Sequence, residues 1–196
     1  MSVLLLGGSP ATQSGSARLL QHVGHRLAVQ GHRSIQLHVR DLPPRALMHA
    51  DASNEVIACA IAAVECADAI VVATPVCKAS YTGILKAFFD LLPQDGLAGK
   101  LVLPMATGGS QSHMLAIDYA LRPVLAALSA RFILPSIYAT SDQLEWIEES
   151  GLQLAAPIAA RIAQGVDQLS SELNALPCHL PAATVLRHTP IAATIQ

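Results

Sequence analysis

Five short apolar runs punctuate this chain, separated by segments whose apolar residues recur at helical spacing, and no other feature restricts its fold as tightly. Val3–Gly7, Ala69–Ala73 and Leu101–Ala106 are almost continuously apolar, as strands buried on both faces are. Phe132–Tyr138 reads as a fifth strand, and Ser34–Val39 alternates Ile35, Leu37 and Val39 in a strand pattern. The intervening stretches are helical. The first runs from Ser16 to about Gln30, with Leu19, Leu20, Val23 and Leu27 on one side and Gly31 as its stop. Asn54–Cys66 follows with Ser53 as N-cap, then Gly83–Leu92, Met114–Leu128 and about Leu154–Leu173.

Strand and helix alternate five times, which calls for an α/β parallel sheet covered by helices on both faces. Five such units match the flavodoxin-like doubly wound five-stranded order 2-1-3-4-5 better than a six-stranded dinucleotide fold. One domain is expected over residues 1–175, followed by a tail at 176–196 that is either disordered or laid on a neighbouring subunit. In this topology ligands sit beyond the carboxyl ends of the strands, so function is sought in the loops after the first, third and fourth strands. A receiver domain shares the topology but needs acidic residues at the ends of its first and third strands. Gly7-Gly8 and Thr74-Pro75 stand there instead.

Composition narrows the classes. With 52% hydrophobic and 13% charged residues among 196, disorder is excluded, and a large core plus a subunit interface are expected. A net charge of −2 without any Lys/Arg-dense run excludes a nucleic-acid surface. No apolar run reaches the roughly 18 residues of a membrane span, because Glu65 and Asp68 interrupt the best candidate. Residues 1–8 lack the basic segment of a signal peptide, so a cytoplasmic location is expected. Cys59, Cys66, Cys77 and Cys178 form no CxxC, which argues against disulfides and structural zinc. Cys59 and Cys66 read as core or interface thiols. His22 and His25 lack a third metal ligand and read as surface residues, so no metal site is expected.

The first loop, Gly7-Gly8-Ser9-Pro10-Ala11-Thr12-Gln13-Ser14-Gly15-Ser16, combines glycine with the hydroxyls of Ser9, Thr12, Ser14 and Ser16. These donors converge on a helix N-terminus, where the macrodipole is positive, and such a set suits a phosphate monoester. Neither GxGxxG nor the Gly-Lys-Ser/Thr of a Walker loop is present. Taken singly, Ser14 or Ser16 reads equally as a helix cap. In the second loop, from Thr74 to Gly83, Pro75 stops the strand and small residues leave room for a flat ring to approach the backbone. Lys78 there is either functional or simply solvated, and Cys77 reads as a small packed thiol rather than a nucleophile, since no base accompanies it. The third loop is Thr107-Gly108-Gly109-Ser110-Gln111-Ser112-His113. It lacks the GxSxG of a Ser–His hydrolase, and His113 reads as polar and exposed.

These loops resemble those of the NAD(P)H-dependent FMN reductase family, and most of all its SsuE-type members, which supply reduced FMN to alkanesulfonate monooxygenases. The likeness is carried by Gly8-Ser9-Pro10, Ala73-Thr74-Pro75-Val76, Lys78-Ala79-Ser80-Tyr81-Thr82-Gly83, Ala106-Thr107-Gly108-Gly109 and Asp118-Tyr119-Ala120-Leu121-Arg122-Pro123. The resemblance implies that Ser9, Ser14 and Ser16 hold the FMN phosphate. It places Pro75, Val76, Cys77, Thr107, Gly108, Gly109 and Ser110 at the isoalloxazine. Ala11 stands where these reductases often carry arginine, and Cys77 where an aromatic residue is common. The resemblance also singles out Tyr119 as the extra residue of a π-helix at a subunit interface. Pro123 supports an irregularity on physical grounds, because it withholds the N–H that the Tyr119 carbonyl would accept in an α-helix. A simple proline kink is the alternative.

The expected function is therefore hydride transfer from NADPH or NADH to FMN, with no catalytic side chain because the cofactors carry the chemistry. The expected partners are further copies of the chain, as dimer or tetramer, and an FMN-dependent monooxygenase. The alternative is a quinone, azo or metal-oxyanion reductase with resident FMN.

Overall fold

A computed structural model describes residues 1–149 and 151–176. The chain runs β1 (Ser2–Gly7), α1 (Gly15–Val29), β2 (Arg33–His38), a short α2 (Pro44–Met48), α3 (Glu55–Glu65), β3 (Ala69–Pro75), α4 (Gly83–Phe89) and β4 (Leu101–Gly108). A π-helix (Ile117–Leu121) leads into α5 (Arg122–Ala127), then β5 (Phe132–Ile133), β6 (Ile137–Thr140), β7 (Leu144–Ile147), β8 (Gly151–Leu154) and α6 (Ala156–Ala175). The sheet order is β2-β1-β3-β4-β5 with β6 also on β4, and every pair in it is parallel. This is the flavodoxin-like order.

Side chains alternate between the two faces of the sheet, so both parities of each inner strand must be apolar. Leu4, Leu6, Ile70, Val72 and Val102 pack against Ile57 and Val64 of α3, Leu85 and Phe88 of α4, and Leu125 of α5. Val3, Leu5, Val71, Leu103 and Met105 face Leu19, Leu20, Val23 and Leu27 of α1 and Ile158, Ile162, Val166 and Leu169 of α6. Each such side chain contributes about 1.5–3 kcal/mol when fully buried, which makes this two-sided core the main stabilising term.

The fifth strand is not one run. Residues 132–133 pair with 101–102 and residues 137–140 with 105–108, leaving a break between them. The cause lies in β4. The Val102 carbonyl accepts from the Leu134 amide at 2.9 Å, so the even-numbered residues of β4 present their backbone groups to this side. The next even position is Pro104, which has no N–H to give, and the facing chain breaks at Leu134-Pro135-Ser136. Other expectations change as well. Asn54, not Ser53, caps α3: its Oδ1 accepts from the amides of Val56 (3.1 Å) and Ile57 (3.3 Å). Ser53 instead donates to the Asp51 carboxylate. Of the core and interface places expected for Cys59 and Cys66, the core is excluded: both are exposed on this chain, because Ile57, Ala60 and Val64 form the inward stripe of α3 and the cysteines fall beside it. The stretch 114–128 is divided between a π-helix and α5 rather than being one α-helix. The antiparallel β7–β8 hairpin, too short to leave a periodic signal, has no counterpart in the sequence reading.

Among the described residues no helix is long and apolar enough to cross a membrane, and no group of three or more His, Cys, Asp or Glu is placed to hold a metal ion. The expected tail lies, from residue 177 onward, outside the described residues.

Candidate active site

The three loops meet at the carboxyl edge of the sheet and are fastened to one another by backbone. The Gly8 amide donates to the Ala73 carbonyl (2.8 Å) and the Val76 amide to that of Thr107 (2.7 Å). Thr82 donates its hydroxyl to the Gly8 carbonyl, and its amide donates to Thr74 Oγ1 at 3.3 Å. Two glycines are required by close approach. A Cβ on Gly8 would lie 2.8 Å from the Leu85 side chain, and one on Gly108 would lie 2.1 Å from the Tyr138 hydroxyl. That hydroxyl donates to the Ser110 carbonyl at 2.6 Å, so the third loop is held from behind by β6.

Between the loops is a cavity of about 370 Å³, within the size range of small-molecule sites. Ser14 and Gly15 line it from the first loop, Pro75 and Val76 from the second, and Thr107, Gly108 and Gly109 from the third. Six of the expected site residues thus converge: Ser14, Pro75, Val76, Thr107, Gly108 and Gly109. Ser9, Ser16, Cys77 and Ser110 are not among its lining residues. Ser9 is buried, and its hydroxyl is engaged within its own turn, donating to the Ala11 carbonyl (3.0 Å) and accepting from the Ala11 amide (3.1 Å). Ser14 caps α1 by accepting from the Ala17 amide (3.1 Å), and the hydroxyl of buried Ser16 lies 3.2 Å from that of Ser14. Ser110 is exposed, and so is Cys77, which is not the packed thiol expected because it opens a tight turn at the surface.

Cys77 opens a two-residue turn. Its amide donates to the Ser80 carbonyl at 2.7 Å, the reverse bond is 3.1 Å, and Lys78 and Ala79 between them have φ of 51° and 63°. Turns with two positive φ values ordinarily use Asn-Gly, and a non-glycine residue in this region costs roughly 1–2 kcal/mol. Strain of this kind concentrates where a ligand is gripped.

Three cavity residues had no signal of their own in the sequence: Arg18, Ser141 and Leu144. Arg18 lies in the opening turns of α1, where a side chain leans back toward the helix N-terminus, so its helical position was the available clue. Ser141 follows β6 directly in a short 3-10 turn, and Leu144 opens β7. The Arg18 guanidinium lies over Trp146 of β7, 4.3 Å from the ring centroid. Arg40, after β2, donates from Nη1 to the Ala11 carbonyl at 3.4 Å and so braces the first loop from outside. Burial holds the His38 imidazole below its usual pKa, with Arg40 acting in the same direction and Asp41 opposing. Burial likewise raises the Tyr138 phenol.

The cradle suits FMN. The first turn of α1 contains no acidic residue to repel a phosphate, and the opposite wall of Pro75, Val76, Gly108 and Gly109 admits a flat ring. The chain matches the family described as NADPH-dependent FMN reductase over residues 1–145. It belongs to that family. It is 45% identical over 148 residues to an FMN reductase (NADPH) of Pseudomonas putida (strain KT2440), covering 76% of this chain and 75% of the relative. It is 40% identical over 144 residues to the FMN reductase (NADPH) of Escherichia coli K12, covering 74% and 75%. Among solved structures, the apo form of the NADH:FMN oxidoreductase EmoB superposes with a TM-score of 0.81 at 40% identity, covering 90% of this chain and 91% of that one. The protein is an NAD(P)H-dependent FMN reductase, with FMN and a nicotinamide dinucleotide as its redox pair.

Proposed function

We propose that this reductase treats FMN as a substrate that departs once reduced, and that it supplies reduced FMN to a separate monooxygenase of the alkanesulfonate type. The observation that carries this reading is how little of the first loop is left to grip a phosphate. Ser9 is turned onto Ala11, and Ser14 is shared between Ala17 and Ser16. Ala11 has no charge to offer. A micromolar complex corresponds to about −8 kcal/mol. Hydrogen bonds to a charged phosphate contribute about 1.5–3 kcal/mol each, so the α1 amides with Ser14 reach that scale without an arginine.

Bound FMN supplies the hydride acceptor. The chain's own residues position it. Ser14 and the opening amides of α1 take the phosphate, with Ser9 and Ser16 fixing the loop. Pro75, Val76, Thr107, Gly108 and Gly109 flank the ring, with Cys77 and Ser110 adjoining them in their loops. No acid–base pair is assigned, and catalysis rests on orientation, an effect worth up to about 7–11 kcal/mol in favourable systems. The enzyme works in the cytoplasm as a homo-oligomer, with Tyr119 and its exposed neighbours Met114 and Leu115 at the contact between copies.

Steady-state NADPH and NADH oxidation by extensively dialysed protein tests the reading. Turnover that rises and saturates with added FMN is expected, from a preparation that dialysis leaves colourless. A preparation that stays yellow with stoichiometric FMN and reduces quinones or azo dyes at a rate indifferent to free FMN would establish the resident-flavin alternative.

A further inference from the structure

Beside the flavin cavity lies a larger one of about 530 Å³. Arg18 and Gln21 of α1, Gln36 and His38 of β2, and Trp146 and Glu148 of the hairpin arm form its walls. The two cavities adjoin at the first loop: Thr12 and Gln13 border the larger, Ser14 and Gly15 the smaller, and Arg18 both. A ligand with a phosphate against that loop can therefore continue past it instead of ending there.

The wall chemistry narrows what continues. Arg18 sits near the positive end of the α1 macrodipole with no acid in the first turn to balance it, an arrangement that favours an anion alongside. Its guanidinium lies over the indole of Trp146, which leaves the N–H edge of a planar fork available to phosphate oxygens. Gln21 and Gln36 carry amides that donate and accept at once, the pairing that the N6 amine and ring nitrogens of adenine take. Trp146 is 43% exposed and offers aromatic surface for stacking. Glu148 accepts hydrogen bonds and so suits ribose hydroxyls. The His38 Nδ1 is enclosed against Gly7 with no hydrogen-bond partner. None of these six residues except Arg18 lines the flavin cavity.

We propose that this second cavity is an adenylate subsite, taking the phosphate and adenine of a dinucleotide whose other half is the flavin in the flavin cavity or reaches the flavin held there. The cavity stands independently of the flavin reading, while its use in turnover rests on that reading. Two sources carry this chemistry: FAD as an alternative flavin, and the nicotinamide dinucleotide.

Trp146 is the sole tryptophan of the chain, so its fluorescence reports on this cavity directly. Titration of the full chain with 5′-AMP is expected to give a saturable fluorescence change at sub-millimolar to millimolar concentration. Ribose 5-phosphate is expected to bind at least about tenfold more weakly. Gln36→Leu and Gln21→Leu, both at exposed positions, are expected to weaken 5′-AMP about tenfold while leaving the FMN dissociation constant unchanged. In the same variants, a higher dissociation constant for FAD identifies the flavin as the source, and a higher KM for NADPH or NADH identifies the reductant. No saturable response to 5′-AMP, equal binding of ribose 5-phosphate, or variants that leave all three dinucleotides unaffected would overturn the subsite. A chain that binds 5′-AMP but not FMN would keep the subsite and remove the flavin reading.

Discussion

Thr82 donates its hydroxyl to the carbonyl oxygen of Gly8, joining the second loop to the first across 74 residues of sequence. Thr82 stands at the N-cap position of α4 yet makes no side-chain cap there, because its hydroxyl is committed to the loop contact. Replacement by valine keeps the shape and removes the donor, leaving the Gly8 carbonyl short of a partner in a buried setting. Thr82→Val is expected to lower stability by about 1–3 kcal/mol and to weaken FMN. Thr82→Ser should retain most of both. Urea denaturation and flavin fluorescence titration measure the two effects.

Gly108 and Tyr138 form a second coupled pair. A methyl group at Gly108 meets the Tyr138 hydroxyl, which is itself bonded to the Ser110 carbonyl at 2.6 Å. Gly108→Ala is therefore expected to cost about 1–3 kcal/mol by overpacking and to move the third loop. Tyr138→Phe removes the same hydroxyl and should cost about 1 kcal/mol. The double variant is expected to be less destabilised than the two single losses combined, because the collision and the lost bond share one oxygen. Additive losses would mean that the two residues do not communicate.

The sheet order was legible because the buried parallel strands need apolar residues on both faces, and Val3–Leu6 and Ala69–Ala73 supply them without interruption. That order brought the three loops together, since the carboxyl ends of β1, β3 and β4 are neighbours, and the family resemblance singled out the residues within them, of which Ser14, Pro75, Val76, Thr107, Gly108 and Gly109 converge. Tertiary commitments stayed hidden. The Ser9 hydroxyl closes on Ala11 two residues on, a local turn that the phosphate reading of the loop overlooked, and Pro104 splits the facing strand only once β4 has that neighbour. Arg18 was passed over for a related reason. It reads as an ordinary polar helix position until the hairpin carrying Trp146 folds over it, and that hairpin's strands are four residues long.

Acid sensitivity follows from three imidazoles. Burial lowers the pKa of His22, His32 and His38, with nearby positive groups acting in the same direction. His32 is the most structural of them: its Nε2 lies 2.7 Å from the Ser170 hydroxyl, pinning the end of α1 to α6. A native pKa below the unfolded value near 6.5 means that the unfolded chain takes up protons first as pH falls. Stability is therefore complete above about pH 6.5 and declines as pH drops toward the depressed native values. Chemical denaturation at stepped pH values between neutral and mildly acidic should show this decline. His32→Gln, which keeps a hydrogen-bonding side chain without the titration, should flatten it in part. An acid branch as steep as that of the original chain would remove His32 from the account.

Tyr119 lies in the π-helix Ile117–Leu121 and is 78% exposed, with exposed Met114 and Leu115 one turn before it. The wide turn has a local cause, since Pro123 cannot donate to the Tyr119 carbonyl and an added residue re-routes the backbone bonds around it. Ile117 and Leu121 hold the segment to the core from its buried side. Deleting Tyr119 should therefore convert the wide turn to α-helix without unfolding the domain, while withdrawing a large aromatic from the surface and shifting the residues before it around the helix axis. The expected result is an unchanged far-UV circular dichroism spectrum together with a smaller assembly in sedimentation velocity. The third loop runs directly into this segment, so retention of FMN through gel filtration should change as well. A deletion variant that sediments and retains flavin as the original does would take Tyr119 out of both roles.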